Sequence, residues 1–195
     1  MSTISCKYTR RAALKTFGIL GVAAALRPPT ASAQSEKSAA KITDADIFNF
    51  ALNLESLETE YYLRGTTGKG MDDADAGANP GAVTGGSLVP WQNDDLRQMM
   101  EEVAANELAH VRFYRKTLGK DAVSRPAIDL TAFTAAAKAA GLGDNFDPFA
   151  SEMNFFLGGM MMEDVGVTAY HGAVPLISNK KFLDSAAGIL AVEAY

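Results

Sequence analysis

The chain has 195 residues, 48% of them hydrophobic, which is enough for one domain with a real core and too little for two. Its 23 acidic residues outnumber the 18 basic ones, giving a formal net charge of −5. That balance argues against nucleic acid or an anionic membrane as partner, since both need a basic footprint.

The first 33 residues differ in kind from the rest. "YTRRAALK" is basic, residues 16–26 ("TFGILGVAAAL") are uncharged and mostly apolar, and "ASA" at 31–33 offers small residues for cleavage. Arg10 and Arg11, followed by Leu14 and Lys15, resemble a twin-arginine export signal, with Ala13 where that motif favours Phe. The apolar run falls short of the roughly 20 residues a spanning helix needs. The expectation is therefore an exported, periplasmic or extracellular protein with no stable membrane insertion. Cutting after Ala33 would remove Lys7, Arg10, Arg11, Lys15 and Arg27 from the 18 basic residues, leaving 13 against 23 acidic, a net charge of about −10. It would also remove Cys6, the single cysteine, and with it any disulfide, thiolate-metal or cysteine-nucleophile chemistry.

Residues 34–42 read as a flexible leader, and the domain proper as 43–195. Thr43 and Asp46 have capping-box spacing, and Ile47, Phe50, Ala51, Leu54, Leu57 and Tyr61 then recur at helical spacing up to Gly65. Residues 65–92 form a glycine-rich insertion with Pro80 and Pro90; its "MDDADAG" does not have the spacing of a calcium loop. Asn93 caps a second helix that ends at Gly119, and an alanine-rich minor helix follows at 131–140. Asp147 and Pro148 read as N-cap and first turn of a third long helix running to about Ala173. A fourth helix starts near Ser178 or Asn179 and has no stop signal before Tyr195, which suggests a fragment cut within it. No strand pattern competes, so the fold class is all-α, a four-helix bundle with long connections.

Charged residues fall inside the apolar stripes. At about 100° of rotation per residue, Glu107 and His110 lie within about 40° of Val103 on the second helix. Glu163 lies among Phe156, Gly159, Val167 and Tyr170 on the third, and Glu193 shares a face with Phe182, Ala186 and Ile189 on the fourth. On the first helix Glu58 lies in the stripe and Glu55 at its edge, beside Tyr62. Buried unpaired carboxylates are costly, and the stripes supply almost no Lys or Arg, so a cation in the bundle core is the economical answer. Met99, Met100, Met153 and Met160 to Met162 read as core filler, His171 as exposed or supporting, and Tyr62, Tyr114 and Tyr170 as packed residues with satisfied hydroxyls.

The stretches "FNFALNLESLETEYYL", "NELAHVRFYRKTLG", "MMMEDVGVTAYHGA" and "AAGILAVEAY" resemble the ferritin-like superfamily, most closely exported ferritin-like proteins related to desiccation-associated proteins. The resemblance implies a centre of two iron or manganese ions, with Glu107 and His110 as one Glu-x-x-His pair and Glu107 as the bridging carboxylate. It implies Glu163 from the third helix and Glu193 opening a second Glu-x-x-His, whose histidine would stand one residue past Tyr195. It favours Glu55 over Glu58 on the first helix, where the stripe favours Glu58, so both are carried. The implied activity is redox chemistry on dioxygen or peroxide, of ferroxidase, peroxidase or catalase type, in stress protection. The alternatives are a non-enzymatic desiccation or stress protein and an iron-binding or storage protein without turnover; the 65–92 insertion disfavours a storage cage, while a simple homo-oligomer is compatible with the sequence.

Overall fold

In the computed structural model, residues 26–27, 42–139, 141 and 143–195 are described, so the expected export signal and leader lie outside the described residues except for Leu26–Arg27 and Ile42. Six α-helices and three very short strands make up the described regular structure, apart from two turns of 3₁₀ helix. In chain order these are β1 (Leu26–Arg27), α1 (Asp44–Thr67), α2 (Asp73–Ala76), β2 (Val83–Thr84), α3 (Asp94–Leu118), β3 (Ala127–Asp129), α4 (Ala132–Ala139), α5 (Glu152–Ala173) and α6 (Lys180–Glu193). The four long helices α1, α3, α5 and α6 form the predicted bundle: α1 lies along α3, and α5 packs against both α1 and α6.

The start of α1 is the predicted capping box, with the Asp46 N–H donating to Thr43 Oγ1 at 3.2 Å and the Thr43 N–H to Asp46 Oδ2 at 2.8 Å. Gly65 does not end the helix. The Phe155 ring lies so close to its Cα that a side chain there would collide with it, so Gly65 is a packing glycine, and the helix ends at Gly68 with φ 74°. Asn93 caps α3 by accepting from the Leu96 N–H at 3.0 Å. The expected start of the third long helix needs correction. Ser151, and not Asp147, is its N-cap, accepting from the Asn154 N–H at 3.2 Å, while Asp147 closes the preceding turn by accepting from the Phe149 N–H at 2.9 Å. Asn179 caps α6, and Asp44 ties the two ends of the bundle's sequence together by accepting from the Ser178 and Asn179 N–H groups at 2.8 Å each.

The strands were not anticipated. β3 sits in the middle of the order β1-β3-β2, antiparallel to β1 (Leu26 opposite Ile128) and parallel to β2 (Val83 opposite Ile128). Elements of two or three residues are too short to display a period of two. Within the glycine-rich insertion the backbone is anchored: the Val89 N–H and the Trp91 indole N–H both donate to the Gly65 carbonyl at 3.0 Å. Glu60, fully buried, receives Arg64 at 2.9 Å, Arg125, and the Met71 N–H at 3.3 Å. Asp75 of the "MDDADAG" stretch pairs with Arg112 at 2.8 Å, a salt bridge in place of a calcium site.

Two apolar cores bracket the middle of the bundle. One gathers Leu57, Tyr61, Tyr62, Met100, Phe133, Phe149, Phe155 and Met162. The other gathers Ile47, Phe48, Leu52, Val111, Tyr114, Tyr170, Ala186 and Ile189. Met100 and Met162 are core filler as expected, whereas Met99, Met153 and Met160 are exposed. No helix among the described residues is long and apolar enough to cross a membrane.

Candidate metal centre

In its middle, α1 is buried on every side: each residue from Leu54 to Tyr62 is out of solvent. This explains why a single apolar stripe cannot choose between Glu55 and Glu58, since the bundle covers one side of α1 while the glycine-rich insertion and the 122–149 connection, through Met71, Val89, Arg125, Ile128 and Phe133, cover the other. Both glutamates are buried and both face the centre. α3 contributes buried Glu107 and His110, α6 contributes buried Glu193, and α5 contributes partly buried Glu163.

His110 organises the cluster. Its Nδ1 stands 3.0 Å from Glu55 Oε2, 3.2 Å from Glu107 Oε2 and 3.6 Å from Glu193 Oε1. One donor atom from each of Glu55, Glu107, His110 and Glu193 lies within 4.8 Å of all the others, so these four can close on one cation. Glu58 and Glu163 stand outside that set and flank it. The side of Glu55 away from His110 is held by tyrosines: Tyr170 donates its hydroxyl to Glu55 Oε1, and Tyr114 donates to the Tyr170 hydroxyl at 2.7 Å. Tyr62 donates to Glu163 Oε1 at 2.6 Å. His171 is exposed, at the surface end of α5.

The electrostatics follow from crowding acids in a dry space. Burial, and then the neighbouring charges of Glu193 and Glu55, hold the Glu58 carboxyl well above the usual range. Burial pushes Glu107 up to about 7 against the lowering bond to His110, and pushes Glu163 up to about 7 together with the charge of Glu107. Glu193 is pushed up to about 10 by burial and by the charges of Glu55, Glu107 and Glu163. Burial alone would lower His110, but the hydrogen bonds to Glu107 and Glu55 win and raise it to about 10. These shifts favour a charged imidazole among acids drawn toward their neutral form.

Three observations fit these residues to a metal. Glu58 Oε2 and both Glu193 carboxylate oxygens are buried without a hydrogen-bond partner, a costly arrangement that a coordinated cation would relieve. At Gly166 of α5 a Cβ would strike the Glu193 carboxylate and come within 3.4 Å of Glu58 Oε1, so the backbone leaves room for acids to converge. Carboxylates with one imidazole form a donor set suited to iron or manganese. A cleft of about 400 Å³ reaches the same acids, lined by Tyr62, Met99, Val103, Glu107, Phe156, Met160, Glu163 and Glu193, with Glu102, Asn106 and Asp164 also on its walls.

The family model for the ferritin-like domain matches residues 43–195. The chain belongs to the ferritin-like domain family. A desiccation-related protein of Craterostigma plantagineum is 32% identical over 82% of this ferritin-like chain and 52% of its own length. A ferritin-like catalase of Nesocodon mauritianus is 28% identical over 77% of this chain and 50% of its own. The chain thus spans about half the length of these curated relatives. No solved structure matches it.

Sequence reasoning passed over Glu60, whose Arg64 partner at helical spacing was visible but whose Arg125 partner was not. It also left open what the tyrosine hydroxyls bind, because Tyr114 of α3 and Tyr170 of α5, 56 residues apart, meet only in the folded bundle.

Proposed function

We propose that this ferritin-like protein is exported and binds two iron or manganese ions in the middle of its bundle, for redox chemistry on dioxygen or peroxide that protects against stress. The observation that carries the reading is the convergence of Glu55, Glu107, His110 and Glu193, from three helices, within 4.8 Å of one another. Glu58 and Glu163 flank this set and are the residues that would complete a second ion's shell. Bound there, such metals supply one-electron redox steps and Lewis acidity.

The chain's own residues prepare the site for that. Glu107 has His110 at 3.2 Å and feels the charges of Glu55 and Glu163, which supports the role of a carboxylate that would be shared by two ions. Tyr170 holds one oxygen of Glu55 and leaves the other turned to His110. Tyr62 does the same for Glu163 from the cleft side. The raised acids give up protons when a cation arrives, so binding is coupled to proton release. A catalase-type reaction suits the name of the Nesocodon relative: one peroxide is oxidised to dioxygen as another is reduced to water, and no outside reductant is needed. The name of the Craterostigma relative supports a second reading, a desiccation-protective bundle without turnover.

The test is aerobic titration of the purified protein with Fe(II) and with Mn(II), followed by metal analysis. Two equivalents retained by the wild type and lost together in Glu107→Ala support the centre, and no retained metal under either loading rejects it. Retained metal with neither dioxygen consumption nor peroxide disproportionation would favour the second reading.

A further inference from the structure

A small cavity opens nearer the start of α1 than the acidic cleft and shares no lining residue with it. It lies between the first turns of α1 (Phe50, Ala51, Leu54), the end of α5 (Ala169, Ala173) and Ala186 of α6, with the rings of Tyr114 and Tyr170 as its inner wall. Its volume is about 20 Å³ and no polar surface lines it. That exceeds the roughly 10–15 Å³ a water needs, but a water against this lining would find none of the 2–4 polar partners that hold buried waters in place. Hydrogen peroxide, with two O–H donors to satisfy, is excluded for the same reason. An apolar diatomic loses nothing by entering.

The placement gives the cavity a use. The hydroxyls of its two lining tyrosines are engaged elsewhere, Tyr114 with Tyr170 and Tyr170 with Glu55, so these side chains connect the cavity wall to the metal-centre acids. Its outer side is bounded by Phe50, which is 53% exposed. From the apolar lining and this position we infer that the cavity is a docking site for dioxygen, as reactant entering the centre or as product leaving it, while cations and peroxide use the acidic cleft. The inference rests on the redox reading above in its role but not in its binding: the cavity is formed by apolar side chains that need no metal.

The experiment is nuclear relaxation of alanine methyl groups in the metal-free protein under dioxygen pressure, with nitrogen at the same pressure as reference. The paramagnetic gas is expected to speed relaxation of the Ala51, Ala169 and Ala186 methyls several-fold more than that of the exposed Ala105 and Ala109. In Ala173→Leu, whose added carbons fill the half-buried mouth, the excess at Ala51 and Ala186 is expected to vanish. Equal enhancement at lining and exposed methyls in the wild type overturns the proposal, and needs no variant to fold. An excess that survives filling in a folded Ala173→Leu protein also overturns it, since the gas would then be elsewhere. Glu107→Ala keeps the two readings apart: it is expected to lose metal and retain the dioxygen effect.

Discussion

Tyr170 joins the end of α5 to Glu55 through its hydroxyl and is itself the acceptor for Tyr114. Tyr170→Phe removes the donor and leaves the buried Tyr114 hydroxyl without an acceptor. The expected cost is about 1–3 kcal/mol in urea unfolding of the metal-free protein. Tyr114→Phe removes only the outer bond and is expected to cost about 1 kcal/mol. Glu193 behaves differently. Burial and the neighbouring acids push its carboxyl up to about 10, which favours the neutral form, so Glu193→Gln puts an uncharged group of similar shape in its place. Metal-free stability at pH 7 is expected to stay within about 1 kcal/mol of wild type, while metal affinity in the same titration falls sharply because the amide carries no charge to offer a cation. A large loss of metal-free stability in Glu193→Gln would contradict the protonated state. At this scale the sequence was informative because charge inside an apolar stripe is costly and therefore conspicuous. It could not decide between Glu55 and Glu58, nor show which tyrosine meets which acid, because both depend on how the other helices and the long connections pack around α1.

Helix boundaries depend on what a glycine or a polar residue touches in three dimensions. Asn93, Gly119 and Asn179 act locally and were legible; Gly65 looked like a stop and is a contact surface for Phe155. Gly65→Ala is expected to cost about 1–3 kcal/mol through overpacking against that ring, measured as a lowered urea midpoint with unchanged slope. The sequence pointed to Asp147 as the cap of the third long helix, and the cap is Ser151 because Asp147 is used in the turn before it. The glycine-rich insertion had no periodicity to read, and its order comes from long-range anchors on Glu60. Arg125→Met breaks the buried pair with Glu60, although Arg64 remains at 2.9 Å to share the charge. The expected loss is about 3 kcal/mol, near the lower end for a broken buried ion pair. Amide exchange should rise first in residues 71–81, where the Gly81 carbonyl loses its Arg125 donor and the Met71 N–H is left on a Glu60 no longer held by Arg125. Uniform exchange across the bundle instead would mean that Glu60 holds the whole domain and not this segment.

The whole molecule places an acid-rich centre between two apolar cores, and its stability must therefore depend on protons and on cations in opposite ways. Glu107 and Glu163 rise from the ordinary 4.5 to about 7 in the folded chain, and Glu193 to about 10. A raised acid binds more protons folded than unfolded, so its contribution is fully present below pH 4.5 and is lost as pH rises through the folded value. His110, raised from 6.5 to about 10, has the same sign: its contribution is present below 6.5 and lost as pH approaches 10. All four groups thus weaken the metal-free fold as pH rises, the three acids from pH 4.5 upward, with Glu107 and Glu163 complete by about 7 and Glu193 and His110 continuing toward 10. A cation reverses the slope, because it binds the deprotonated ligands and stabilises the folded state in proportion to that binding. Thermal unfolding between pH 5 and 9 with chelator is expected to give a Tm that falls across the range. The same scan with Mn(II) should give a Tm shift that grows with pH. A metal-free Tm that is flat or rises from pH 5 to 8 would mean that the acids are not crowded as the structure places them, and a metal-induced shift independent of pH would mean that the cation binds away from Glu107, Glu163 and Glu193.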